Sequence, residues 1–229
     1  TNMNRTLALM AVIIGLAGYF WYDSTSDNSF DDAGSITLLG AAHAQEVEAE
    51  IDISTVVDMT IGNLDADVTV IEYASFTCPH CGNFHMGDFK ELKKDYIDTG
   101  KIKFVYREVY FDRFGLWASA IARCAGPEKF FGITDLLYSS QSEWARAGGG
   151  DPAAIVEALR KIGLLAGLSS DNVEACLQDG DNLRTLVAWY QENVERDGVQ
   201  STPSFVIDGR TYKNIDYDEM KRLIDEASI

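Results

Sequence analysis

The sequence predicts an α/β domain with a mixed central sheet and an all-helical lobe inserted in it. Three observations predict this. A strand-like run, Val68 to Tyr73, leads into a helical pattern and then into a second strand-like run within Lys101 to Val109. From Phe111 to Gly198 the periodicity is helical throughout. Strand signals then return at Phe205 to Ile207 and Arg210 to Tyr212, and an amphipathic helix follows.

The elements follow in order. Met59 to Ile61 reads as a short edge strand and Asn63 to Asp67 as a turn. Val68 to Tyr73 is nearly all apolar, which implies a central strand covered on both faces. Pro79 opens a helix expected to run to about Asp98 and to end at Gly100, with Phe89, Leu92 and Tyr96 on one side. Gly82 and Gly87 weaken its first half and permit a kink. A right-handed strand–helix–strand crossover makes the first two strands parallel. In the helical stretch, Leu116, Ala120, Ile121 and Cys124 share a face, and Gly126-Pro127 breaks the run. Phe130, Ile133, Leu137 and Trp144 mark a second helix, and Gly148 to Gly150 a hinge. Asp151 with Pro152 starts a third helix, and Asp171 with Glu174 forms a capping box for a short one. Leu183, Leu186, Val187, Tyr190 and Val194 line a long last helix of the lobe. Asp208-Gly209 signals a type I′ hairpin, and Asp216 with Glu219 caps the final helix.

Composition narrows the function. At 229 residues and 46% hydrophobic content the chain can bury one good core with a lobe added. A formal charge of −17 argues against binding nucleic acid, whose phosphates need Lys and Arg, and against docking on an anionic membrane. Thr6 to Tyr22 is an uncharged apolar run, about 25 Å long as a helix. Arg5 precedes it, four aspartates follow by Asp32, and no Lys or Arg occurs between Arg5 and Lys90. That asymmetry places everything after Tyr22 outside the cytoplasm. Residues 1–22 are therefore expected to be a membrane anchor or signal segment. Residues 23–54 are an acidic flexible linker, and residues 55–229 the folded domain with its helical insertion at 111–198. An uncleaved anchor is favoured; the alternative is a soluble protein released by cleavage near Ala44, after Ala42-His43-Ala44.

Chemistry concentrates at Cys78-Pro79-His80-Cys81. Cys78 falls where a strand hands over to a helix, and unpaired N–H groups and the helix dipole there favour thiolate. Cys81, three residues on, lies on the same helical face and can close a short disulfide with Cys78. His80, between the cysteines, is read as an electrostatic influence on Cys78. His85 is read as an ordinary helix-surface residue, although Cys78, Cys81 and His85 could together hold a metal. Glu72 sits in the central strand, where a carboxylate is costly unless partnered or protonated; an edge-facing surface acid is the plainer reading.

The Cys-Pro-His-Cys motif preceded by Glu72-Tyr-Ala-Ser-Phe-Thr resembles the active site of the bacterial DsbA family, periplasmic thiol oxidases of thioredoxin-like fold. The resemblance covers roughly residues 55 to 229. It implies a redox-active Cys78–Cys81 disulfide flanked by Pro79 and His80, and a buried Glu72 that relays protons to Cys81. It also implies a cis-proline at Pro203 packed against that disulfide, with the Thr202 backbone offered to an extended substrate. Cys124 and Cys176, both in the lobe of a protein expected in an oxidising compartment, are expected to form a second, structural disulfide; two buried free thiols are the alternative. The expected partners are reduced, unfolded secreted polypeptides and, for reoxidation, a DsbB-like quinone-linked membrane oxidase. No metal or organic cofactor is expected. The rivals are a reductase or isomerase on the same fold and a periplasmic metal-binding protein using Cys78, Cys81 and His85. An isomerase of this kind would need a dimerisation domain, for which residues 23 to 55 are too short and polar.

Overall fold

The computed structural model of the chain describes residues 51–228. The expected anchor at residues 6–22, the linker up to residue 50 and the cleavage site near Ala44 lie outside the described residues. Among the described residues no helix is long and apolar enough to cross a membrane.

Five strands form one mixed sheet: β1 (Met59–Gly62), β2 (Val68–Ala74), β3 (Ile102–Glu108), β4 (Ser204–Ile207) and β5 (Arg210–Lys213), in the order β1-β3-β2-β4-β5. β2 lies at the centre. It runs parallel to β3, with Glu72 opposite Tyr106, and antiparallel to β4, with Glu72 opposite Phe205. β1 is an edge strand antiparallel to β3. Asp208 and Gly209 both have positive φ, 49° and 71°, so β4 and β5 are joined by the type I′ geometry that an Asp-Gly pair favours.

The alternation along β2 sends its side chains to two different cores. Val70 and Ala74 join Phe104, Tyr106, Phe205 and Ile207 in the main core, which continues into the helical lobe. Tyr73 points to the opposite face, where it packs with Val109 and Val206 and with Tyr190 and Val194.

After β2 the chain forms α1 (Pro79–Met86), α2 (Asp88–Leu92) and one π-helical turn (Lys93–Ile97). The single helix expected from Pro79 to Asp98 is thus corrected: Gly87, at φ −121° and ψ −99°, is non-helical and separates α1 from α2. Gly82 does not break the helix. Its lack of a side chain admits Gln141 instead, since a Cβ there would stand 2.7 Å from the Gln141 Oε1.

Between β3 and β4 lie α3 (Arg113–Cys124), α4 (Pro127–Ser139), α5 (Gln141–Trp144), a short 3-10 turn (Ala147–Gly149), α6 (Pro152–Leu165), α7 (Ser170–Gln178) and α8 (Gly180–Arg196). Trp144 sits on its own short helix rather than on α4 as expected. Asp151 caps α6 by accepting from the Ala154 N–H. The expected Asp171–Glu174 capping box is not formed. Ser169 is the cap, accepting from the Asn172 N–H at 3.2 Å, because it alone has the extended backbone a cap requires, and Glu174 pairs with Arg160. At the last helix, α9 (Tyr217–Ala227), only half of the expected box exists: Asp216 accepts from the Glu219 N–H, while the Glu219 carboxylate turns to Arg222.

Two partly buried ion-pair groups tie the layers together. Arg107 on β3 holds Asp58 through two hydrogen bonds of 2.8 Å and reaches Asp197 after α8. Glu108, next along β3, is gripped by Arg123 of α3 through two bonds of 2.6 Å and receives a hydrogen bond from Ser119. Cys124 at the end of α3 is bonded to Cys176 of α7, with Cα atoms 5.9 Å apart.

The Cys124–Cys176 bond closes a loop with a sequence separation of 52 residues. In the chain-entropy view such a closure stabilises by about 4 kcal/mol. Replacing both cysteines with alanine should leave the fold intact but lower denaturant stability by about 2–4 kcal/mol. Peptide mapping of unreduced parent protein should recover the two cysteines linked. Both alkylated without prior reduction would contradict the bond.

Candidate active site

The site grows out of the end of β2. The Ser75 carbonyl accepts from the Cys78 N–H at 3.0 Å, which turns the chain out of the sheet. Phe76 is buried between these residues, its ring 5.6 Å from that of Tyr106 and 5.3 Å from that of Tyr138. The Gln141 side-chain amide donates to the carbonyls of Phe76 and Cys78, at 2.8 and 2.9 Å. Thr77 donates to Asp112, the cap of α3, at 2.9 Å. The lobe thus grips the loop that delivers Cys78.

Cys78 is the N-cap of α1. Its backbone is extended, at φ −83° and ψ 117°, Pro79 takes the first helical position, and its Sγ accepts from the Cys81 N–H at 3.4 Å. A sulfur therefore occupies the place where a serine or aspartate oxygen usually satisfies the first free N–H groups of a helix. Across the site the Thr202 carbonyl lies 3.6 Å from the same Sγ, and the Thr202–Pro203 peptide is cis. The Pro203 carbonyl accepts from Asn214, which holds this loop to the end of β5.

Both cysteines carry free thiols, and their environments push them apart. The Cys78 thiol is drawn down to about 5. The hydrogen bond from the Cys81 thiol contributes most; burial opposes it, and the Thr202 side chain and the backbone N–H groups of Cys81 and His80 add to it. Cys81, fully buried, is pushed far up, first by burial, then by its bond to Cys78 and by the negative charge of Glu72. Cys78 is thus suited to be the leaving and attacking sulfur, and Cys81 to be the thiol that stays protonated. Pro79 and the His80 side chain are exposed on the first turn of α1.

One sequence reading is corrected here. His85 is not a helix-surface residue. It is 3% exposed, its Nε2 lies 2.8 Å from the Glu72 Oε2, and its ring stacks on Tyr138 with centroids 4.4 Å apart. It lies one turn beyond the buried Cys81 and so faces the same core, a periodicity visible in the sequence. Glu72 is fully buried at the centre of the sheet, as the resemblance implies and not edge-facing as the plainer alternative had it, with His85 as its partner. The imidazole faces a carboxylate, so the trio of Cys78, Cys81 and His85 is not assembled as a ligand set. Among the described residues no three His, Cys, Asp or Glu side chains are grouped to hold a metal ion.

Two grooves flank the Thr202–Pro203 loop. One, of about 340 Å³, is lined by His80, Phe84, Asp88, Pro203 and Asp216. The other, of about 100 Å³, is more apolar, with Val109, Phe111, Tyr190 and Val194. A further cavity of about 390 Å³ lies beside Asp67, Arg107 and Asp197, at the end of β2 away from the thiols. Gln141 and Tyr138, which fix the site from the lobe, were not legible in the sequence, because no local pattern links them to residues more than sixty positions earlier.

Comparison with known proteins agrees with this geometry. The thioredoxin family model matches residues 54–226. A Rickettsia bellii protein provisionally named a protein-disulfide oxidoreductase is 35% identical over 171 residues, covering 74% of this chain and 64% of that protein. The chain thus spans somewhat less than two thirds of the length of that relative. Disulfide bond formation protein D of Bacillus subtilis is 27% identical over 176 residues, covering 72% of this chain and 75% of that one. The crystal structure of Wolbachia pipientis alpha-DsbA1 superimposes with a TM-score of 0.67 at 27% identity, covering 75% of this chain and 90% of that one. The chain belongs to the thioredoxin family and, within it, to the DsbA-like proteins with a helical lobe inserted in the sheet domain.

Proposed function

We propose that the chain is a thiol-disulfide oxidoreductase that donates a Cys78–Cys81 disulfide to reduced, folding secreted polypeptides. The observation that carries this reading is the asymmetry of the two sulfurs: Cys78 caps α1 and favours thiolate, while Cys81 is buried and disfavours it. A substrate thiolate attacks the Cys78 sulfur, the Cys78–Cys81 bond breaks, and its electron pair leaves on Cys81, which takes up a proton. A second substrate thiolate then attacks the substrate sulfur of the mixed disulfide. The electron pair of that bond leaves on Cys78, the substrate gains a disulfide and the enzyme ends reduced. A leaving group with a low pKa favours that last step, which supports the oxidising direction over the reductase or isomerase alternative.

The Thr202 backbone, beside the Cys78 sulfur, suits an extended substrate segment that adds to it as one strand adds to another. The apolar groove at Val109 and Phe111 suits a polypeptide whose core residues are still exposed. A DsbB-like quinone-linked membrane oxidase is the partner proposed for reoxidation. The periplasm is the proposed compartment, with the domain tethered through residues 6–22 or freed by cleavage near Ala44. The apolar run and the absence of Lys and Arg between Arg5 and Lys90 support this placement.

Oxidised protein mixed with a reduced, unfolded two-cysteine substrate should form one substrate disulfide per two protein thiols released, and Cys78→Ser should form none. Efficient reduction of insulin without oxidative refolding would move the function to the reductase. Tight one-to-one metal binding by reduced protein, without thiol oxidation, would move it to the metal-binding rival.

The Cys81→Ala variant tests the electrostatics separately. It removes the largest contribution to the low Cys78 value, so the thiolate transition, followed by ultraviolet absorbance, should rise from about 5 towards that of an ordinary cysteine. A transition that stays near 5 would mean that the helix amides and Thr202 suffice alone.

A further inference from the structure

The two grooves beside the Thr202–Pro203 loop differ in chemistry, and the function proposed above assigns an occupant to only one of them. From Ser201 to Pro203 the chain passes from one groove to the other. Ser201 and Thr202 line the smaller groove, whose walls include Val109, Phe111, Tyr190 and Val194. Pro203 lines the larger one, of about 340 Å³, together with His80, Phe84, Asp88, Ile215 and Asp216. The Thr202 carbonyl, between the two along the chain, lies 3.6 Å from the Cys78 sulfur.

The larger groove carries two carboxylates and no Lys or Arg. Asp88 is the first residue of α2 and has no ion-pair partner among the described residues; Lys93 and Lys94, which follow it, pair with Asp98, Glu91 and Asp95 instead. Asp216 accepts from the Glu219 N–H at 2.9 Å through one oxygen, and its other oxygen has no partner among the described residues. Lys213, next to Asn214 of the same lining, donates to Gln200, which lines the apolar groove. Phe84, Pro203 and Ile215 give the acidic groove apolar walls as well. Apolar walls with carboxylates among them are complementary to one kind of side chain. Lys or Arg lays its apolar stem on the walls and sets its charged head against the acids. An acidic side chain is repelled there, and an apolar one buries the carboxylates without a partner.

We propose that this groove selects substrates with a Lys or Arg within two residues of the reacting cysteine, on one side of it, while the apolar groove takes an uncharged side chain on the other. Asp88 and Asp216 are the specificity-determining residues. This rests on the exchange reaction proposed above. A substrate strand laid along Ser201 to Pro203 places its cysteine opposite Thr202, so its two flanks fall to the two grooves. A residue two positions from the cysteine stands about 6–7 Å along that strand and points to the same face.

The test measures how fast oxidised full-length protein is reduced by an excess of two-cysteine peptides, at about 0.15 M salt, where long-range attraction is screened. Acid quenching, alkylation and mass spectrometry follow the protein thiols. Lysine or glutamate stands at the two positions before each cysteine in one peptide series and after each cysteine in the other. Each rate is divided by that of the same peptide with a neutral small-molecule disulfide, which removes the effect of the flanking charge on the peptide thiol itself. The series whose flank meets the acidic groove should prefer lysine by about tenfold, and the other by less than about twofold. Asp88→Asn and Asp216→Asn should each reduce the preference and together remove it. An asparagine at position 216 still accepts from the Glu219 N–H, so the cap of α9 is kept. A control variant, Glu157→Gln with Asp181→Asn, removes the same charge from α6 and α8 outside both grooves and should keep the parent's preference. A preference equal in both series, or lost as fully in the control, would reduce it to attraction by the net charge of −17 and overturn the proposal. A parent that no peptide reduces would overturn the proposed function, whereas a parent that all peptides reduce equally overturns the specificity alone.

Discussion

The Cys78 sulfur closes the amino end of α1, and the rest of the site is arranged to keep it there. A helix start has N–H groups with no partner inside the helix, and whatever accepts from them is stabilised when it carries negative charge. Here the acceptor is the sulfur proposed to do the chemistry, so the cap and the proposed reactive atom are the same. Cys81 supplies both the N–H at 3.4 Å and the thiol hydrogen bond that contributes most to the low Cys78 value. One cysteine is stabilised as an anion because its neighbour three residues on is held as a neutral donor.

That arrangement needs a loop that does not move, and the lobe provides it. Gln141 stands at the start of α5 and bridges two carbonyls of the loop, and Tyr138 of α4 bonds a third. Gly82 is part of the same contact, since a side chain there would displace Gln141. On the other face of the sheet, Tyr190 and Val194 of α8 cover Tyr73 and Val206, while Arg107 ties β3 to Asp58 and Asp197. The inserted helices therefore support β2 from both sides.

How much of this could be read in the sequence depended on the range of the interaction. The central strand, the hairpin at Asp208-Gly209 and the position of Cys78 at a strand-to-helix junction follow from neighbouring residues, and the structure has them. Asp171 suits a cap by residue type, but only the backbone at Ser169 is extended, which residue type does not reveal. Gly87 was seen as a weak point, but a break rather than a kink depends on how α1 and α2 each pack. His85 was misread because a histidine suits an exposed helix face. Its burial depends on Glu72, thirteen residues earlier, and on the ring of Tyr138 from a different helix. Gln141 left no local trace.

The account stands or falls on whether the folded reduced protein gains stability from a thiolate at Cys78. Thermal unfolding of both redox forms across pH measures this directly. A thiol lowered to about 5 only in the folded state stabilises that state in full above the unfolded thiol value of about 8.5, and the gain is lost as pH falls through about 5. At neutral pH part of it is present. The reduced form should therefore unfold at higher temperature than the oxidised form near neutrality, and the difference should shrink on acidification towards pH 5. An oxidised form that is the more stable one at neutral pH, with a difference indifferent to acidification, would contradict the thiolate and with it the oxidising direction.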